Sequence, residues 1–283
     1  MLDWDTHLKN GAWEDVNGLN AFYVSLGKGA AVVLIHGWAS SSFTWRKIYS
    51  PLSNSFHVIA VDLPGFGNSQ PLPSGLSLEA VGAHITVLMD KLMIDRFAVV
   101  GHSMGGVVAS YLAATFPDRV WGTVLAAPSF MTVADGKRPF FVELVRRRQI
   151  GRILAGMLVN RWFVGRALRN ACYEKQAVTG EMVEGYLLSV KHHPLTLLDA
   201  FKLTEGFKME MLEKITSPAL MIWGSHDRWV PISIGHEISK TRGWDVRIIE
   251  NAGHLPHEEK PGEFIQILHQ FLAHISPREV KAD

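Results

Sequence analysis

The chain has 283 residues, 47% of them hydrophobic, which suffices for one large core or for a core carrying an insertion. Lys and Arg number 28 against 27 Asp and Glu, a formal net charge of +1, so the overall balance implies neither a nucleic-acid nor an acidic partner. One cysteine, Cys172, excludes an intramolecular disulfide and suits a reducing, cytoplasmic setting; the acidic N-terminus has no signal-like apolar region, and no apolar run nears the roughly 20 residues that span a bilayer.

In chain order, the first signal is Asn17-Gly18, between two segments that can alternate inward and outward. Asn-Gly accepts the positive φ angles of a tight turn, which predicts an antiparallel hairpin. Six short β-branched, apolar runs follow: 31–36, 57–63, 96–102, 123–128, 219–224 and 246–251. Continuous apolar runs of this length are expected of strands buried on both faces in a parallel sheet. Between them lie helical patterns. Residues 77–93 have apolar residues at helical spacing with Ser77 as N-cap, 104–116 is stopped by Pro117, and 261–275 begins on a proline suited to a first turn. The alternation predicts an α/β architecture. It is broken from 129 to 216, where no buried-strand pattern occurs and helical periodicity takes over. This interval is expected to be a helical cap, inserted at the carboxyl edge of the sheet where ligands bind, and 1–128 with 217–283 form the core.

The sequence "VVGHSMGGVVA" places Gly101-x-Ser103-x-Gly105 between a buried strand and a helix. So tight a turn forces its middle residue into a strained conformation, and glycines at its flanks let the chains pass. Ser103 is then left at the sheet edge beside a helix N-terminus, where the dipole and the Met104 N–H favour negative charge. Without that context Ser103 would be an ordinary helix cap.

A serine hydroxyl needs a base, and the base needs an orienting acid. Of 13 histidines, His254 lies just past the last buried strand, in a Gly-His loop that can reach the carboxyl edge. His257 lies past Pro256, nearer the final helix. His102 adjoins Ser103 and is expected on the opposite side of the turn. His36, His57, His84 and His236 fall in strand or helix segments. For the acid, Asp227 follows the strand ending at Gly224, again at the carboxyl edge. Asp62 competes from another strand end but is expected to bind amides of its own Pro-Gly turn; Asp245 and Glu250 lie in or beside a strand. A tetrahedral oxyanion also needs donors: the Met104 amide and, from the loop after the first parallel strand, the Trp38 amide.

The segments "LIHGWASSSFTW", "VDLPGFGNS", "VVGHSMGGVVA", "WGSHDRWVP" and "NAGHLPHEEKP" resemble, in order, the signature blocks of the α/β-hydrolase superfamily over about 11–129 and 217–275. The resemblance implies a mostly parallel eight-stranded sheet flanked by helices, with an inserted helical cap. It also implies a Ser…Asp…His triad, which by position falls on Ser103, Asp227 and His254, with Trp38 and Met104 as oxyanion donors. The expected activity is a serine hydrolase acting on a small-molecule carboxylic ester, with apolar or medium-chain acyl groups, through an acyl-enzyme. No metal or other cofactor is expected: neither a nucleotide-type Gly-rich loop nor a zinc-like Cys/His cluster occurs. Carbon–carbon hydrolases of ring-cleavage products, cofactor-free perhydrolases and ligand receptors share the framework and are the alternatives. Dehalogenases and typical epoxide hydrolases are disfavoured, because they carry a carboxylate where this chain has Ser103.

Within the expected cap, residues 137–175 carry ten Lys or Arg against two acids, a local charge of about +8. Apolar residues from Ile150 to Leu168 are interleaved. The stretch is either a set of amphipathic helices with arginines in water or a basic, apolar surface that touches anionic membrane or lipid. Residues of 129–216 are expected to bind substrate.

Overall fold

The computed structural model describes residues 3–130, 156 and 159–277. After a short helix α1 (Trp4–Lys9), capped by the Asp3 carboxylate, strands β1 (Gly11–Val16) and β2 (Leu19–Leu26) form the hairpin. Its turn residues have φ of 56° at Asn17 and 82° at Gly18, the pairing that matches the right-handed twist of two antiparallel strands.

The chain then lays down β3 (Ala31–Ile35), helix α2 (Tyr49–Leu52), β4 (His57–Val61), α3 (Leu78–Lys91), β5 (Phe97–His102), α4 (Met104–Thr115) and β6 (Val120–Ala126). Beyond 159 come α5 (Arg161–Ala171), α6 (Gly180–Lys191), α7 (Thr196–Asp199) and α8 (Phe201–Glu205). The chain closes with β7 (Ala219–Gly224), α9 (Ile232–Arg242), β8 (Asp245–Ile249), α10 (Pro256–Glu259) and α11 (Pro261–Ile275). The eight strands form one sheet in the order β1-β2-β4-β3-β5-β6-β7-β8, antiparallel at β1–β2 and β2–β4 and parallel elsewhere. This is the mostly parallel, helix-flanked sheet expected of the sequence.

Strand periodicity divides the core. Val33 and Ile35 join the cluster of α3, α4 and Ile238 on one face; Val32 and Leu34 join Trp45, α2 and Phe264, Leu268 and Leu272 of α11 on the other. The helix starts follow local capping chemistry. Ser77 Oγ accepts from Ala80 N at 3.1 Å, and Pro261 occupies the first turn of α11.

Two expectations change. The run at 246–251 reads as a strand buried on both faces, yet β8 is an edge strand that exposes Asp245, Arg247 and Ile248. It pairs on one side alone, and its apolar residues cover only part of its surface. Helix α9 is signalled in the sequence only by the placing of His236 in a strand or helix segment, because it buries only Gly235 and Ile238 and so carries little apolar periodicity.

Helices α5 to α8 lie between β6 and β7 in the chain. Leu168, Ala171, Met182, Val183 and Tyr186 from α5 and α6 form a separate apolar cluster with Phe43, from the segment after β3, and Leu255, after β8. Helix α6 is also held to the core by Ser189, whose Oγ bonds Ser41 Oγ at 2.7 Å and whose carbonyl accepts from Gly67 N at 2.7 Å. Of the expected insertion 129–216, residues 131–155, 157 and 158 lie outside the described residues. So do six of the ten basic residues of 137–175, leaving Arg161, Arg166, Arg169 and Lys175. No described helix is long and apolar enough to cross a membrane.

Candidate active site

The turn from β5 to α4 is built by exclusion of side chains. A Cβ at Gly101 would stand 2.2 Å from the Gly105 carbonyl oxygen, and one at Gly105 would stand 2.3 Å from that of Ile35. Only glycine lets these backbones approach so closely. Ser103 between them takes φ 53° and ψ −118°, a conformation that costs a non-glycine residue about 1–3 kcal/mol. The strain is held by neighbours: Ser103 N donates to Ala126 O at 2.9 Å, and Ser103 O accepts from Gly106 N at 2.9 Å and Ser129 N at 3.1 Å. Although Ser103 occupies the N-cap position of α4, its hydroxyl makes no capping bond. Its Oγ lies 3.0 Å from His254 Nε2.

His254 sits in the loop between β8 and α10. Its Nδ1 donates to Asp227 Oδ2 at 2.8 Å, which leaves Nε2 to accept the Ser103 proton. Asp227 lies in the loop after β7, and its side chain is wholly shielded from solvent. The other carboxylate oxygen accepts from Trp229 N at 2.8 Å and Val230 N at 3.0 Å, so the carboxylate is fixed on both sides. The structure thus brings together Ser103, Asp227 and His254, from three loops at the carboxyl ends of parallel strands.

Gly37, after β3, packs against the turn: its Cβ would meet the Ser103 Cβ at 3.2 Å and His102 Nδ1 at 2.9 Å. Trp38 therefore follows directly on a backbone in contact with the Ser103 turn. Its indole donates to Leu197 O at 2.8 Å, anchoring this segment to α7 and leaving the Trp38 amide outside that bond. The Met104 amide is the first N–H of α4, a position with no intrahelical acceptor.

Of the other histidines, His57 bonds Ser25 Oγ at 2.8 Å on the β4 side of the sheet, His84 is buried in α3 and His236 lies in α9. His102, expected on the opposite side of the turn from Ser103, packs against His257 with ring centroids 4.6 Å apart, and its Nε2 donates to His254 O at 2.7 Å. Burial holds its basicity well below the ordinary histidine range, with His254 nearby adding to the effect. His257 is buried against Trp45 and bonds Thr44 Oγ1 at 2.7 Å; it lies behind the site, held neutral by burial. His36 bridges Gly37 O and Leu63 N, and burial pushes it down to about 4. Asp62 accepts from Asn68 N of its own turn at 2.8 Å, as expected. It also takes both the amide and the hydroxyl of Ser42, a partner 20 residues away that sequence could not indicate. Burial raises Asp62 to about 6.

A cavity of about 260 Å³ opens on Ser103 and His254. Its walls are mainly apolar: Phe163, Val164, Ala167 and Leu168 of α5, Leu197 and Phe201 from α7 and α8, and Trp38 and Trp229. None of the described lining residues is Asp, Glu, Lys or Arg. Trp229 does not stand out in the sequence; its ring lies against His254 with centroids 5.2 Å apart, and its place two residues after Asp227 is the available signal. Among the described residues no group of three or more His, Cys, Asp or Glu could hold a metal ion.

A family model described as the alpha/beta hydrolase family matches residues 32–267. The chain is similar to the dihydrolipoyllysine-residue acetyltransferase component of the acetoin cleaving system of Cupriavidus necator, with 29% identity over 265 residues covering 91% of this chain and 68% of that one. It is 28% identical over 260 residues to the pimeloyl-acyl-carrier-protein methyl ester esterase of Aliivibrio salmonicida, covering 89% and 95% of the two chains. In fold it is similar to a thermophilic esterase from Thermogutta terrifontis, with a TM-score of 0.77 and 24% identity over 94% of this chain and 97% of that one.

Proposed function

Because the chain belongs to the alpha/beta hydrolase family, we propose that it is a serine hydrolase that cleaves carboxylic esters through an acyl-enzyme. Ser103 Oγ attacks the ester carbonyl while His254 Nε2 takes its proton. Asp227 holds the imidazole in the required tautomer and stabilises it once charged. The Met104 and Trp38 amides receive the oxyanion, each worth about 3 kcal/mol of barrier in sites of this kind. The protonated His254 then gives its proton to the departing alcohol. Water, deprotonated by the same nitrogen, attacks the acyl-enzyme and releases the acid and the free serine. The observation that carries the proposal is the hydrogen-bonded line from Ser103 Oγ through His254 to Asp227, 3.0 Å and 2.8 Å.

We read residues 129–216 as a cap whose helices close the acyl side of the cavity. The described lining, uncharged and mainly apolar, favours a hydrocarbon acyl group over one carrying a second carboxylate, since a buried charge without a partner is costly. A relative named for a methyl ester esterase supports ester substrates. The test is turnover of p-nitrophenyl esters of increasing acyl length by the wild type and Ser103→Ala. The expected result is a loss of about 10⁴-fold or more in kcat with the fold unchanged. Near-normal turnover in the variant would remove Ser103 as nucleophile.

A further inference from the structure

Resting on the hydrolase assignment above, we propose that Glu259 is a positioning residue that clamps the end of helix α5 to the loop carrying His254, so that the cap's placement sets the placement of the base.

Glu259 ends α10, five residues after His254. Its Oε1 accepts from Gly253 N at 2.8 Å, the residue immediately before His254. Its Oε2 accepts from Tyr173 N at 2.6 Å and Glu174 N at 3.3 Å, just beyond the C-terminus of α5. One carboxylate thereby joins the histidine loop to Tyr173, which lies 86 residues before Glu259 in the chain. A second stitch lies beside it: His254 N donates to Ala171 O at 2.8 Å, satisfying one of the carbonyls a helix end leaves open. The two backbones touch without room between them, for a Cβ on Gly253 would stand 2.3 Å from Ala171 O and 2.7 Å from Tyr173 N. The Tyr173 ring also lies on His226, 4.1 Å between centroids, one residue before Asp227. The end of α5 therefore touches both loops that carry the base and its acid.

The same helix lines the cavity with Phe163, Val164, Ala167 and Leu168. A displacement of α5 by an acyl chain is carried through a short, stiff path to the His254 backbone. A carboxylate suits this position because it only accepts and has two oxygens. A neutral amide offers one acceptor for the two sides, and alanine offers none. Removing it leaves the buried Gly253 N–H unpaired and the histidine loop held by the remaining stitch alone.

Four variants test the clamp: Glu259→Gln, Glu259→Ala, Tyr173→Ala and Tyr173→Pro. Both Tyr173 variants lose the ring on His226, but only proline also deletes the Tyr173 N–H, the shorter of the two cap-side donors, and Cys172 before it already has ψ 145°, as a residue preceding proline requires. Folded protein is counted by near-UV circular dichroism and competent Ser103 by titration with a fluorophosphonate. Glu259→Ala is expected to lower kcat per folded molecule about 10- to 100-fold, the cost of a misplacement approaching 1 Å, with Glu259→Gln intermediate. KM for p-nitrophenyl acetate, too short to press on α5, stays at the wild-type value. Tyr173→Pro lowers kcat below that of Tyr173→Ala, and adding Glu259→Ala to Tyr173→Pro costs less than Glu259→Ala costs in the wild type, as expected for two halves of one contact. Wild-type kcat per folded molecule in Glu259→Ala, a Tyr173→Pro no slower than Tyr173→Ala, or full additivity in the double variant Glu259→Ala/Tyr173→Pro would overturn the clamp. These outcomes are separable from failure of the hydrolase assignment, which requires that Ser103→Ala keep its turnover.

Discussion

Replacing Ser103 by glycine and by alanine separates the backbone strain of the turn from its chemistry. Both variants lose the hydroxyl and its bond to His254, so that loss cancels between them. What remains is the backbone. At φ 53° and ψ −118° alanine keeps a strain of about 1–3 kcal/mol that glycine does not feel. Against this, glycine loses about 0.5–1 kcal/mol more chain entropy on folding. The difference leaves Ser103→Gly more stable than Ser103→Ala by about 1 kcal/mol. At an ordinary helical position the sign is reversed, with glycine the less stable by about 1 kcal/mol. Urea unfolding followed by tryptophan fluorescence near pH 7.5 reads the difference as a shift in midpoint at unchanged slope. Both variants are inactive, so activity does not confuse the comparison. If the alanine variant were as stable as the glycine variant, or more so, the turn would store no strain at Ser103.

Gly105→Ala places a methyl 2.3 Å from Ile35 O and 2.4 Å from His36 O, both backbone atoms. It should destabilise by about 3 kcal/mol and abolish turnover, whereas Gly262→Ala, in helix α11 with nothing within 4 Å, should stabilise by up to about 1 kcal/mol in the same unfolding assay. Ala167→Trp should block the cavity, lowering kcat/KM for octanoate esters while sparing acetate; equal loss for both would mean that α5 does not line the acyl path. Stability should fall with acid. Burial holds His7, His36 and His84 down to about 4, so their contribution is complete above the ordinary histidine value of 6.5 and is lost as pH falls through about 4. Asp62, raised to about 6, acts in the opposite sense: its contribution is complete below 3.8 and is lost as pH rises through 6. Between pH 7.5 and 5 the three histidines, joined by the buried His102 and His257, outweigh Asp62, so the protein loses stability over this interval. Urea unfolding at the two pH values checks this, and equal stability would contradict it.

Where a feature depends on a few consecutive residues, it was legible in the sequence. The Asn17-Gly18 turn, the Ser77 cap, the proline start of α11 and the strand–turn–helix around Ser103 all follow from local φ preferences, missing Cβ atoms and capping oxygens. These forces act over a handful of residues, so the letters alone carry them. Weakly patterned elements were not legible: α9 buries too little to show a period, and nothing in 246–251 says that β8 has no further neighbour. What tertiary structure decided is which distant groups meet. Only the strand order places the loops after β5, β7 and β8 at one sheet edge, where residues 151 positions apart come within 3.0 Å and one histidine of thirteen faces the serine. The same holds for Asp62 reaching Ser42 and for Glu259 joining Gly253 to Tyr173. Such meetings are set by packing of the whole chain, and no spacing within a short window encodes them.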